Sequence, residues 1–236
     1  MNFLRSSVFN IIFYGSIIFF GILFTPLLLS KNVTSWITSI WAKINIFILK
    51  CILNVKIEFI DEEKLPSGGA LIAANHESAF DTIYFLTKFK NPIYILKQQL
   101  LYIPIYGWYV MRLGHIAINR RGNIKTLNIM TKKVLGKIKE GSNIIIFPEG
   151  TRTKPNKIGK LKSGIYFIQK KIKFPVYPII INSGHVWGKN SYVKYSGKII
   201  LKVLDPIPFG LERKEFMFKL KDKLNDKNFE YNRKVG

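Results

Sequence analysis

Two regimes of hydrophobic patterning divide the chain. From Ser6 to Ser30 no charged residue occurs, and the middle of that run reads VFNIIFYGSIIFFGILFTPLLL. About 20 mostly apolar residues suffice to cross a bilayer, so the run is long enough for a membrane segment. It exceeds the apolar region of a signal peptide, and no small-residue cleavage site follows it. Val33–Leu53 is a second apolar stretch, interrupted by Lys43 and Lys50 and carrying Trp36 and Trp41. Indoles at headgroup depth and lysines that snorkel outward suit an interfacial or re-entrant helix. Thr25-Pro26 and Ser30-Lys31-Asn32 break the two stretches apart. Residues 1–53 therefore read as a membrane-associated two-helix segment. The pattern fits a hairpin embedded in one leaflet and equally a span followed by a surface helix.

From Val55 the period changes. Short strand-like runs alternate with longer helix-like ones, the pattern of an α/β domain. The predicted strands are Val55–Ile60, Ala70–Ala74, Ile93–Leu96, His115–Ile118, Asn143–Phe147, Val176–Ile181 and Lys198–Leu204. The predicted helices are Ser78–Lys88, a stretch around Gln98–Arg112, Ile124–Lys139, Gly164–Lys171 and Glu212–Leu224. Within the third of these, Leu127, Val134, Leu135 and Ile138 keep helical spacing, with lysines on the other face. No internal repeat or linker interrupts 54–236, so that part reads as one domain.

Composition adds a constraint on partners. The 236 residues carry 37 Lys and Arg against 14 Asp and Glu, a formal net charge of +23. Such a balance points to anionic partners: nucleic acid, anionic lipid, or a phosphorylated or acidic substrate. Thirty of the 37 cations are lysine, a bias broad enough that much of the excess is ordinary solvated surface. The basic remainder places the domain on the cytoplasmic side of a membrane, although that rule weakens for large domains. The single cysteine, Cys51, excludes an internal disulfide and a cysteine-rich metal site, and fits a reducing compartment.

Three segments carry candidate chemistry. In Leu71–Asp81, LIAANHESAFD, an apolar strand ends on Asn75-His76 and turns into a helix with Asp81 on its first turn. If Asp81 accepts the Nδ1 proton of His76, Nε2 is left to deprotonate a substrate hydroxyl, catalysis worth typically ~10²–10⁴-fold. Ser78-x-x-Asp81 is equally a capping box, in which the carboxylate closes the helix start. His76-Glu77 opens the zinc-protease pattern H-E-x-x-H, but Phe80 stands where the second histidine belongs, which excludes that site. In the second segment, Phe147-Pro148-Glu149-Gly150-Thr151-Arg152 follows an apolar strand, at the sheet edge where open α/β folds bind ligands. The Arg152 fork and the Thr151 hydroxyl suit a phosphate monoester; a plain Pro-Gly turn with a surface ion pair is the alternative. The third segment, Gly114 to Arg120, is a short strand ending in an arginine. His115 and His185 read as structural, and three scattered histidines with one cysteine offer no metal-binding cluster.

Taken as an ordered set, these segments resemble the 1-acyl-sn-glycerol-3-phosphate (lysophosphatidic acid) acyltransferase family. Its block N-H-x-S-x-x-D is complete from Asn75 to Asp81. The block G-x-x-F-I-x-R is met at Gly114, Ile118 and Arg120, with Ala117 in place of the aromatic. The block F-P-E-G-T-R-S is met from Phe147 to Arg152 and departs only at Thr153. A fourth, proline-centred block is met loosely at Val176-Tyr177-Pro178-Ile179, and the segments 96–100 and 103–108 also look like family sequence. The resemblance runs from about Leu71 to Ile181.

That resemblance implies a mixed central β-sheet flanked by helices behind a membrane-embedded helical hairpin. It implies a membrane enzyme of phospholipid biosynthesis that esterifies the 2-hydroxyl of lysophosphatidate to give phosphatidic acid. The donor would be an acyl thioester, acyl-CoA or acyl-acyl carrier protein, and transfer would be direct, without metal or cofactor. The chain offers no G-x-S-x-G elbow, and Cys51 falls in the apolar region. His76 would be the base and Asp81 its orienter. Lys97, Arg120, Glu149, Gly150, Thr151 and Arg152 would hold the glycerol phosphate, with Glu149 positioning an arginine or binding a glycerol hydroxyl. Lys154, Lys157, Lys160 and Lys162 would attract anionic lipid or an acidic carrier protein. The implied location is the inner cell membrane, with the catalytic domain on the cytoplasmic face. Glycerol-3-phosphate, a lyso-ornithine lipid or another lysophospholipid is an alternative acceptor. A membrane-tethered nucleic-acid-binding module is the rival from another class. Against it, aromatics do not interleave with basic residues, and Arg120, Arg121 and Arg152 fall in or beside the acyltransferase blocks.

Overall fold

The computed structural model describes residues 1–119, 124–155, 157–225 and 229. Seven strands lie where the pattern predicts them, no end displaced by more than one residue: β1 (Val55–Ile60), β2 (Leu71–Ala74), β3 (Ile93–Lys97), β4 (Ile116–Ile118), β5 (Ile144–Ile146), β6 (Val176–Ile181) and β7 (Gly197–Val203). They form one sheet in the order β1-β7-β6-β2-β5-β3-β4. Every neighbouring pair is parallel except β6 with β7, so the sheet is mixed. The helices are α1 (Asn2–Leu23), α2 (Lys31–Leu53), α3 (Phe80–Lys88), α4 (Tyr106–Leu113), α5 (Ile124–Lys139), α6 (Gly164–Ile172) and α7 (Arg213–Leu224).

Alternation along β2 shows how the layers are built. Ile72 and Ala74 face a cluster that contains Phe9, Leu49, Phe80 and Phe85 from α1, α2 and α3. Leu71 and Ala73 face the opposite cluster, with Val134, Ile168, Phe216 and Leu220 from α5, α6 and α7. A sheet covered on both faces has no need of outward polar positions, which is why these strands read as continuous apolar runs.

Both N-terminal helices are long and apolar enough to cross a membrane by length and composition. They nevertheless lie along the α/β domain. Asn54, in the left-handed region at φ 51°, ends α2 and leads straight into β1. The two helices fold back on each other, with Trp41 Nε1 donating to Ser16 Oγ at 3.0 Å. α1 buries the polar side chains Ser6 and Asn10 as well as Phe9 and Phe13. Those polar groups meet a segment from the other end of the chain. The Lys194 N–H donates to Ser6 Oγ (2.8 Å), and Asn10 Nδ2 donates to the Tyr192 carbonyl (3.1 Å). The opposite surface of the pair exposes Phe3, Ile11, Phe19, Trp36 and Phe47.

Two predicted helices differ in detail. α3 begins at Phe80 rather than Ser78, because Ser78 Oγ accepts the Phe80 N–H two residues on and holds the chain in a turn before the helix. The stretch Gln98–Arg112 splits into a 3₁₀ turn over Gln98–Tyr102 and the helix α4. Pro104 interrupts it, and Ile105 turns through φ 65°. A Cβ at Gly107 would sit 2.0 Å from the Leu101 carbonyl oxygen, so only glycine lets α4 start against that turn.

Candidate active site

The carboxyl end of β2 sits at the middle of the sheet, between β5 and β6. Asn75 fixes it there. Its amide donates to the Ile181 carbonyl and accepts the Ile181 N–H, both at 2.7 Å. The chain then turns through His76, Glu77 and Ser78 around the Asp81 side chain, which is fully buried. Asp81 Oδ2 lies 2.9 Å from each of three nitrogens: His76 Nδ1, the Glu77 N–H and the Ser78 N–H. Oδ1 accepts the Ser183 hydroxyl. The same carboxylate therefore closes the helix start and holds the imidazole; the capping and pairing readings are both realised. An anion at Nδ1 keeps the ring proton on that nitrogen and leaves Nε2 as an acceptor.

The Phe147–Thr153 segment grips His76 from the other side. Its ring stacks on Phe147 with centroids 4.1 Å apart and planes 19° from parallel. Its N–H donates to Glu149 Oε1 at 3.2 Å, and its carbonyl accepts the Thr153 N–H at 2.7 Å. Glu149 thus holds the His76 main chain, where the sequence suggested an arginine or a substrate hydroxyl. Its second oxygen, Oε2, is buried without a hydrogen-bond partner. Burial pushes the Glu149 carboxyl up to about 7; the Thr153 hydroxyl and the His76 amide pull against that rise, and the Asp81 charge adds to it.

His76 borders a cavity of about 1060 Å³ that Lys97, Gly150, Thr151 and Arg152 also line. Its α1 and α4 walls are mostly apolar, with Phe13, Ile17 and Phe20 from α1 and Tyr109 and Val110 from α4, while Asn190, Ser191 and Lys194 add polar groups elsewhere. Five of the eight site residues read from the sequence therefore border this cavity: His76, Lys97, Gly150, Thr151 and Arg152. Asp81 sits behind His76, and Glu149 beside it. The eighth, Arg120, lies outside the described residues. Arg152 Nη2 reaches Asn190 Oδ1 at 3.5 Å. His115, on the same cavity's wall, accepts the Tyr94 N–H at 3.3 Å, and burial pushes its imidazole down to about 4, as befits a structural histidine.

The sequence missed the support provided after β6. Ser183 completes Asp81's shell, and the Gly184 N–H donates to Glu77 Oε2 at 2.9 Å. A Cβ on Gly184 would lie 2.8 Å from that oxygen. The only local signal was Asn182-Ser183-Gly184, which reads as a turn.

A family model described as Acyltransferase matches residues 56–182, more than half of the chain and spanning all of these blocks. The chain belongs to the acyltransferase family. This acyltransferase is 30% identical over 187 residues to the 1-acyl-sn-glycerol-3-phosphate acyltransferase of Pseudomonas aeruginosa, covering 79% of this chain and 71% of that one. It is 25% identical over 229 residues to the protein of the same name from Saccharomyces cerevisiae, covering 95% and 73%. Its fold matches the crystal structure of the 1-acyl-sn-glycerophosphate acyltransferase PlsC from Thermotoga maritima with a TM-score of 0.69 at 23% identity, over 95% of this chain and 93% of that one.

Proposed function

We propose that this acyltransferase transfers a fatty acyl group from a thioester donor, acyl-CoA or acyl-acyl carrier protein, to the 2-hydroxyl of 1-acyl-sn-glycerol-3-phosphate. One observation carries the reading: His76 Nδ1 lies 2.9 Å from the buried Asp81 carboxylate while the ring borders the cavity that Arg152 also lines. Nε2 takes the hydroxyl proton as the oxygen attacks the thioester carbonyl. The tetrahedral intermediate then collapses, the thiolate leaves, and the imidazolium returns its proton to that sulfur. Arg152, Thr151 and Lys97 hold the phosphate monoester, Arg152 through its two-pronged fork. Arg120 is assigned to the same anion on its place in the family block. The names of the curated relatives support this acceptor, and the apolar α1 and α4 walls support lipid acyl chains.

Residues 1–53 serve as a membrane-associated segment and 54–236 as the catalytic domain, on the cytoplasmic face of the cell membrane. The attachments of the helix pair favour a one-leaflet arrangement over a span. α1 is held near its start by Lys194 and Tyr192, and near its end by the Tyr109 hydroxyl, which donates to the Phe20 carbonyl at 3.2 Å. A helix tied down at both ends cannot leave the domain to cross a bilayer. The test is thiol release by the detergent-purified full chain with lysophosphatidate and acyl-CoA or acyl-acyl carrier protein. Turnover that requires both substrates is expected. Equal turnover with glycerol-3-phosphate, or none with either donor, overturns the acceptor assignment.

A further inference from the structure

A second concavity, of about 570 Å³, opens between the first half of α2 and the turn that joins α3 to β3. Its α2 wall is the stripe Asn32, Ser35, Ser39 and Lys43, spaced three or four residues apart so that all four share one helix face. That polar stripe is unexpected on a helix apolar enough to cross a membrane. The facing wall is the end of α3 and the loop to Pro92, tied across by a hydrogen bond between Ser35 Oγ and Asn91 Oδ1.

Four ammonium groups line this groove: Lys31 and Lys43 from α2, Lys88 from α3 and Lys90 from the loop. No carboxylate lines it. Lys88 is paired with Glu62 at 2.5 Å, whereas Lys31, Lys43 and Lys90 form no ion pair among the described residues. The groove also receives the positive end of the 23-residue α2. Trp36 lines it and is 65% exposed, and Val33, Ile44 and Phe47 are exposed on the same helix. An indole among apolar side chains marks the depth at which lipid headgroups lie. None of His76, Gly150, Thr151 and Arg152 lines the groove, although Thr38, Leu86 and Leu113 are shared with the wall of the catalytic cavity.

We infer that this groove binds the anionic phosphate of a membrane lipid headgroup, as a second lipid site separate from the acceptor site. The inference rests on the helix pair lying on a membrane but not on the identity of the acyl acceptor. Three unpaired ammonium groups from two elements line one concave, carboxylate-free surface at headgroup depth. A phosphodiester headgroup supplies the missing charge while its acyl chains remain in the leaflet beside Trp36.

The full chain in neutral maltoside micelles provides the test, with thermal stabilisation reporting binding. Phosphatidylglycerol is expected to raise the melting temperature, and phosphatidylcholine to leave it unchanged. The double variant Lys31→Gln/Lys90→Gln is expected to weaken apparent phosphatidylglycerol affinity by roughly 30-fold, from the usual contribution of two lysines. The single exposed change Lys90→Gln provides a smaller shift in the same direction. A control pair on α6, Lys170→Gln/Lys171→Gln, removes the same charge elsewhere and is expected to retain the response. Equal weakening by both pairs overturns the proposal in favour of diffuse attraction. Stabilisation by inorganic phosphate at matched ionic strength, as large as that by lipid, overturns it in favour of a soluble anion. Acyl transfer by Lys31→Gln/Lys90→Gln in the same micelles stays near the wild-type rate. A wild-type chain that transfers acyl groups without responding to phosphatidylglycerol removes only this site, and a wild-type chain that responds without transferring removes only the acceptor assignment.

Discussion

Asp81, at the start of α3, and Glu149, after β5, reach His76 from opposite sides, one through its ring and the other through its amide. Both carboxylates are buried, and their surroundings differ. Asp81 has the imidazole, two main-chain N–H groups and a serine hydroxyl around its two oxygens. Glu149 has the His76 amide on one oxygen and nothing on the other. A carboxylate with donors on both oxygens is fixed in place, suited to orienting a base. A carboxylate with one oxygen left dry gains little from ionising, and burial pushes this one up to about 7. The protein thus places a fully bonded carboxylate behind the imidazole and one pushed up by burial beneath its main chain.

The comparison predicts a hierarchy of damage. His76→Ala removes the group both carboxylates serve, so turnover falls by at least ~10²–10⁴-fold while the melting temperature changes little. Comparable turnover in that variant would refute the base. Asp81→Asn puts an amide where three nitrogens and a hydroxyl need an acceptor. Turnover drops by ~10²–10³-fold, and stability falls by about 1–3 kcal/mol from the unsatisfied donors; full activity would show that the ring needs no anion.

Glu149→Gln is the variant that separates the two carboxylates. It keeps an oxygen for the His76 amide and removes the ionisation. A carboxyl pushed from 4.5 to about 7 holds, in the folded chain, a proton that the unfolded chain releases. Its stability penalty is therefore absent below about 4.5 and complete above about 7. Glu149→Gln should match the wild type in acid and exceed it in mildly alkaline buffer, by on the order of 2–3 kcal/mol at most. Melting curves across that range decide it, and a difference independent of pH would refute the assignment. The smallest effect is expected furthest from the imidazole. Arg152→Lys loses the fork but keeps the charge, so the acceptor KM rises roughly tenfold with kcat little changed. An unchanged KM would remove Arg152 from the phosphate site.

The central strands β2, β5 and β6 were legible because each is an apolar run buried on both faces, a signal that depends on nothing distant. The His76–Asp81 pair was legible for a similar reason: its members stand five residues apart on one turn. Glu149's role was not, since its partner is a main-chain amide 73 residues away and any glutamate could have served. Ser183, 102 residues from Asp81, left no mark beyond an ordinary turn. The break in 98–112 was written in Ile103-Pro104, but the crowding that demands Gly107 exists only once the turn has folded. Hydropathy marked 1–53 as membrane-like and could not reveal that Ser6 and Asn10 face inward to bond a distant segment.

That last attachment has a consequence for how the chain is made. Ser6 lies 188 residues before Lys194, its hydrogen-bonding partner. Strand β1 likewise pairs with β7, close to the other end of the polypeptide. Contacts separated by so much sequence close late and slow folding. During synthesis α1 must wait, with its apolar surface uncovered, until the segment around Lys194 has been made. That uncovered apolar surface is open to aggregation until the late-made segment closes over it.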